Sequence, residues 1–111
     1  MQISVESGQI ISSRCAIPAI FPVLDAREIG DLIVVVYDYM AFPRNEPSRN
    51  LFAYSSVTGD ELWRADYIGA RAADGYTGVV SESPLVVGNF TGFDCHIDIQ
   101  TGRVISKVFT K

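Results

Sequence analysis

Apolar and polar positions alternate in steps of two along much of this chain. Phe93, Cys95, Ile97 and Ile99 fall on one side of an extended segment, and Asp94, His96 and Asp98 fall on the other. Period-two patterning of this kind predicts a half-buried antiparallel strand. Asp31 to Tyr39 is different, being β-branched and almost continuously apolar, which predicts a central strand covered on both faces. Gly78 to Asn89 reads as a strand pair, or as one strand broken near Pro84. Pro18 and Pro22 bracket a short apolar stretch suited to an edge strand, and Leu24 to Ile29, with Asp25 near its start, predicts a single helical turn. No segment predicts a longer helix. Ala41 to Arg49 and Gly69 to Tyr76 carry the Pro and Gly residues of loops. The pattern amounts to one all-β domain over residues 1–111, an antiparallel meander of about eight or nine strands. Periodicity leaves its closure open among a sandwich, a barrel and two to three blade-like sheets.

Three segments align on a Ser/Thr-Gly pair: Ile3–Ile11, Tyr54–Leu62 and Ile97–Ile105, with the pair at Ser7-Gly8, Thr58-Gly59 and Thr101-Gly102. Glycine supplies the positive φ that a tight hairpin turn requires, and the preceding hydroxyl can bond its own backbone. In each segment the residue five before Gly is bulky and the residue three after it is aliphatic. The second copy runs Leu51, Ala53, Thr58, Gly59 and Trp63 in the spacing Leu-x-Ala-x-x-x-x-Thr-Gly-x-x-x-Trp. It resembles the strand-turn-strand repeat of quinoprotein (PQQ-type) β-propeller blades. In that pattern an Asp stands where this chain has Ser55, and Asp98 restores it in the third copy. The resemblance implies blade-like sheets, with Trp63 in their core. It implies no quinone site, because the matching positions are scaffold positions and the chain is too short to close a propeller of at least about four blades.

The net charge of −4 and a pI near 4.7 argue against a nucleic-acid partner or an anionic membrane surface; such acidity ordinarily serves solubility alone, and it also suits a basic protein partner. The longest apolar run, Leu32 to Tyr37, is too short to span a bilayer, and the first residues form no secretory leader, so a cytoplasmic protein is expected. In that compartment Cys15 and Cys95 are expected to be free thiols.

Candidate chemistry is sparse. His96 with Asp94 and Asp98 has the residue types of a metal site, but same-face neighbours on one strand lie about 7 Å apart. A solvated polar face is the simpler reading, and the sequence calls for no cofactor and no catalytic residue. The two long loops carry side chains that protein-binding surfaces favour, Tyr39, Phe42, Arg44 and Arg49 in one and Arg71 and Tyr76 in the other, though loop aromatics equally serve to cap the ends of a small β core. Three functions remain open. The first is a small non-catalytic protein-binding module, such as an inhibitor, immunity-type or adaptor protein, that occludes its partner. The second is a homodimer or a subunit of a larger β assembly. The third is a small-ligand or metal-binding domain or enzyme.

Overall fold

The computed structural model describes residues 3–43, 45–68 and 75–110. Among these residues eleven strands form three antiparallel sheets, with no α-helix. The first sheet holds β1 (Ser4–Glu6), β2 (Gln9–Ile11) and β3 (Ala16–Pro18) in that order. The second holds β4 (Val23–Ile29), β5 (Leu32–Tyr37), β6 (Leu51–Ser55) and β7 (Glu61–Arg64). The third holds β8 (Tyr76–Glu82), β9 (Leu85–Asn89), β10 (Phe93–Ile97) and β11 (Val104–Phe109). Each sheet is a meander, and the second lies between the other two.

The pattern in β5 and β6 explains this stacking. Val34 and Val36 of β5, with Leu51 and Ala53 of β6, enter one core together with Leu85, Val87, Cys95 and Ile97 of the third sheet. The alternate residues Ile33, Val35, Tyr37, Phe52 and Tyr54 enter a second core with Ile10 and Ile17 of the first sheet. An unbroken apolar run is what a strand needs when both faces of its sheet are covered. Trp63 belongs to the first of these cores, as the blade resemblance implied. Cys15 packs in one core and Cys95 in the other, on opposite sides of the middle sheet, and neither is in a disulfide.

In the core shared with the first sheet, the Tyr37 and Tyr54 hydroxyls share a buried hydrogen bond of 2.7 Å. Burial raises the pKa of both phenols above the usual tyrosine value. A phenol with a raised pKa in the folded state holds its proton where the unfolded chain has lost it, so stability falls as pH climbs above about 10. Absorbance titration of the native protein should show Tyr37 and Tyr54 missing from the rise near pH 10 and appearing only with unfolding. Ordinary titration of all five tyrosines before unfolding would contradict this.

Three expectations need correcting. Leu24 to Ile29 is strand, not a helical turn, because β4 pairs along its length with β5. The strand count is eleven rather than eight or nine, the short strands of the first sheet accounting for much of the difference. The Ser7-Gly8 turn is not a copy of the other two. It is a two-residue hairpin, with Ser7 at φ 52° and Gly8 at φ 75°, joining β1 to β2.

The true counterpart is Ser12–Cys15, between β2 and β3. Ser12 Oγ accepts from the amides of Arg14 and Cys15, as Ser55 Oγ accepts from Val57 and Thr58. Asp98 Oδ1 accepts from Gln100 in the third sheet. Ser12, Ser55 and Asp98 stand 43 residues apart in turn, which is the repeat length of the chain. Ser55 thus does with a hydroxyl what Asp98 does with a carboxylate. At each step a side chain from one sheet lies over the glycine of the next turn: Ile17 over Gly59, and Trp63 over Gly102, with Trp63 Nε1 donating to Ile99 O at 2.8 Å.

Candidate functional site

The loop-bearing end of the stack carries some of the exposed apolar side chains. Ala19 N bonds Gly8 O, Asp38 N bonds Pro22 O, Phe90 N bonds Gly75 O, and Thr110 N bonds Gly92 O. Each bond ties a link or strand end to a neighbouring turn or strand end of its own sheet, and Tyr39 joins the second sheet to the third. Ile20, Met40, Phe90 and Phe109 stand on these links and strand ends, each about half exposed. Tyr39, in a single 3-10 turn at Tyr39–Ala41, sets its ring 5.4 Å from that of Phe90. Asp38 caps the turn by accepting from Met40 N at 2.9 Å. Gly75 passes under Tyr39 so closely that a Cβ would lie 2.8 Å from Tyr39 Cβ. The Tyr39–Phe90 pair is therefore held from below, with Met40 beside it in sequence.

The residues expected to form a binding face are divided by the structure. Tyr39 sits in the exposed cluster. Phe42 is buried against Phe21, with ring centroids 4.2 Å apart, and lies under the Arg64 guanidinium. Tyr76 is fully buried and donates its hydroxyl to Asp66 O. Neither ring is placed to meet a partner in the folded chain. An aromatic at a loop boundary can cap a small β core as readily as it can face outward, and these two do the former. Arg49 is half-buried and donates to Ala65 O and Arg64 O, while Arg64 reaches back to Arg49 O and Ser48 O. The two guanidiniums clasp each other's main chain. Burial, with Arg49 close by, lowers the Arg64 pKa. Arg44 and Arg71 lie outside the described residues.

The sequence pattern alone does not single out Met40, Phe90 and Phe109. A lone Phe in the tight Asn89–Gly92 turn was the signal available for Phe90, since a short turn offers a large ring no core to enter.

His96, Asp94 and Asp98 have a clear structural meaning. Directly opposed residues in a sheet share a face, so Asp94 groups with Gly88 and Val108, and His96 with Val86 and Ser106. These are the outward positions of the third sheet. The same positions in the middle sheet are Leu51, Ala53, Trp63, Ala65, Val34 and Val36, which pack on the third sheet. Leu51 is thus replaced by Asp94, Ala53 by His96 and Trp63 by Ser106. A fourth sheet stacked here would bury a carboxylate and an imidazole, so the face is built to meet water. Among the described residues, no three His, Cys, Asp or Glu side chains converge to hold a metal ion. No helix among them is long and apolar enough to cross a membrane.

Residues 2–109 match the family described as Domain of unknown function (DUF7957). The chain belongs to that family. No curated protein matches this DUF7957 chain. Among solved structures it is similar to BamB from Moraxella catarrhalis, a β-propeller protein, at 17% identity and a TM-score of 0.58. The match takes in 99% of the DUF7957 chain but 35% of BamB's, so the chain spans about a third of that neighbour. The likeness concerns fold: three propeller-like blades, with no particular repeat family singled out.

Proposed function

We propose that this DUF7957 chain is a non-catalytic protein-binding module that acts by covering part of a partner with the loop end of its blades. The observation that carries the reading is the braced Tyr39–Phe90 pair at that end, with half-exposed Met40 beside it. Single exposed apolar residues are ordinary on a protein surface; a group of aromatic and aliphatic side chains on one side is what an interface core uses. The acidic balance of the chain favours a basic partner and faster encounter with it. The chain's place of action is taken to be the cytoplasm, where Cys15 and Cys95, packed in different cores, need no bridge.

The test is substitution of half-exposed residues whose loss the fold tolerates. M40D and F90D, singly and together, should leave the far-ultraviolet circular dichroism and the melting temperature within a few degrees of the parent. Each should weaken capture of the native partner at least tenfold, as expected for residues in the centre of an interface. Retention of full binding by the double variant would move the interface elsewhere.

A further inference from the structure

We propose that the open edge of β1 receives an extended, basic segment of a partner protein, added to the first sheet as its fourth and innermost strand. The surface is separate from the loop end and does not depend on the reading above.

The three sheets can be aligned strand by strand through their equivalent turns. Ser12, Ser55 and Asp98 make β2, β6 and β10 counterparts, so β1 corresponds to β5 and β9. The second and third sheets each carry a further, innermost strand, β4 and β8, beside that position. The first sheet has no such strand among the described residues. Val5 pairs with Ile10 as Val34 pairs with Ala53, and the cost of the open place is visible there. Val34 is 0% exposed and Val5 is 47% exposed.

The edge is also open in its backbone. In a two-residue hairpin the closing pair, Glu6 and Gln9, bonds inward, so the next residue, Val5, turns its N–H and C=O outward. Exposed sheet edges are usually blunted by bulges, Pro or Lys. β4 is bulged at Leu24, β8 at Thr77 and Val80, β3 ends in Pro18, and β11 carries Lys107. β1 is regular and has none of these.

The chemistry of the segment follows from how β4 meets β8. Asp25 Oδ2 accepts from Val79 N at 2.9 Å, and Arg27 reaches Glu82 at 3.0 Å, so each inner strand is stapled to the next. Glu82 stands opposite Leu85 on β9, and Glu28 stands opposite Ile33 at the matching place on β5. Glu28 faces the vacant side. It is 9% exposed and accepts from Ser13 N and Oγ, but forms no ion pair among the described residues. Nearby Arg14 spends its guanidinium on Asp31 and Gly30 O. Arg27 pairs in register with Val34. An arginine or lysine opposite Val5 would therefore meet Glu28 as Arg27 meets Glu82. Main-chain bonds to Val5 supply attachment, and the buried carboxylate selects a basic residue at one register.

The chain's own inner strand serves as the probe. A synthetic peptide of sequence Pro22–Gly30 is titrated into the isotopically labelled protein, and amide shifts and hydrogen exchange are followed residue by residue. Exchange of the Val5 amide should slow at least tenfold at saturation, with shifts confined to Ser4–Glu6, Val23–Glu28 and Ser13. The peptide with R27E should bind at least tenfold more weakly, and E28Q in the protein should weaken the parent peptide several-fold. E28Q retains an acceptor for Ser13, and unchanged exchange in β2 and β3 would verify that its fold is intact. Absence of protection at Val5, shifts centred on Phe90 instead, or indifference to the charge of the peptide would overturn the proposal. So would protection of Val5 that grows with protein concentration alone, which would make the occupant a second copy.

Discussion

Replacing Gly102 by alanine is expected to lower stability by about 3 kcal/mol, combining a left-handed backbone penalty of about 1–2 with an overpacking cost of about 1–3. Both terms come from the same residue. Gly102 sits at φ 79°, where an L side chain is strained. Its missing Cβ would lie 2.5 Å from Trp63 Cε3 and 2.7 Å from Cδ2, inside a ring that is itself held by its bond to Ile99 O. Gly59 is the internal control. It has the same conformation at φ 81°, but its nearest neighbour, Ile17 Cγ1, is 3.8 Å from the Cβ position. Gly59→Ala should therefore cost only the backbone term, about 1–2 kcal/mol. Thermal denaturation should show a fall on the order of 15 °C for G102A and about half that for G59A. Trp63 is the only tryptophan, so its emission reports the docking directly. G102A should shift native emission to the red and G59A should leave it unchanged. Equal losses in the two variants, with unchanged emission, would show that the ring yields and that the blades are not joined in this way.

The elements legible in the sequence were those whose pattern records burial. The run from Leu32 to Tyr37 could be read as a doubly covered strand because water touches neither of its faces. The alternation of Phe93, Cys95 and Ile97 with Asp94 and His96 could be read because one face meets a core and the other meets solvent. β4 departs from its sequence pattern for a physical reason. Its two faces carry Asp25 and Arg27 on one side and Ala26 and Glu28 on the other, residues that favour helix and caps. They are polar because they staple neighbouring strands, and backbone pairing with β5 overrides their propensity. The first repeat was misplaced because its turn, Ser12–Cys15, lacks the Thr-Gly pair, whereas the unrelated Ser7-Gly8 hairpin mimics it. The candidate site was legible only in part. Loop position points to the end that carries the Tyr39–Phe90 pair. It could not separate rings that close the core, Phe42 and Tyr76, from those that face outward, since that depends on which strand end lies beneath each loop.

Asn50 holds the loop end together, and it yields the second large effect. Its side chain is fully buried at the junction of β5, the approach to β6 and the start of β8. Nδ2 donates to Tyr37 O at 2.5 Å and to Tyr76 O at 2.8 Å, while Oδ1 accepts from Tyr76 N at 2.8 Å and from Ser48 Oγ at 3.2 Å. An amide is the one side-chain group that can both donate twice and accept twice at a single point. Asn50→Ala removes all four bonds from a dry site and should cost about 3–5 kcal/mol, because buried partners losing a bond cost about 1–3 kcal/mol each. Asn50→Asp has nearly the same shape but sets a second oxygen against two carbonyls. Burial and those carbonyls disfavour the carboxylate, so its folded-state pKa is raised above the unfolded value of about 3.9. A group raised in this way supports the fold most fully below the unfolded pKa, and its support is lost as pH rises through the folded one. Urea midpoints should therefore be low for N50A at both pH 4 and pH 8. The parent-minus-variant difference for N50D should be at least about 2 kcal/mol larger at pH 8 than at pH 4. A flat N50D difference would mean that water reaches the junction and that Asn50 does not join the second blade to the third.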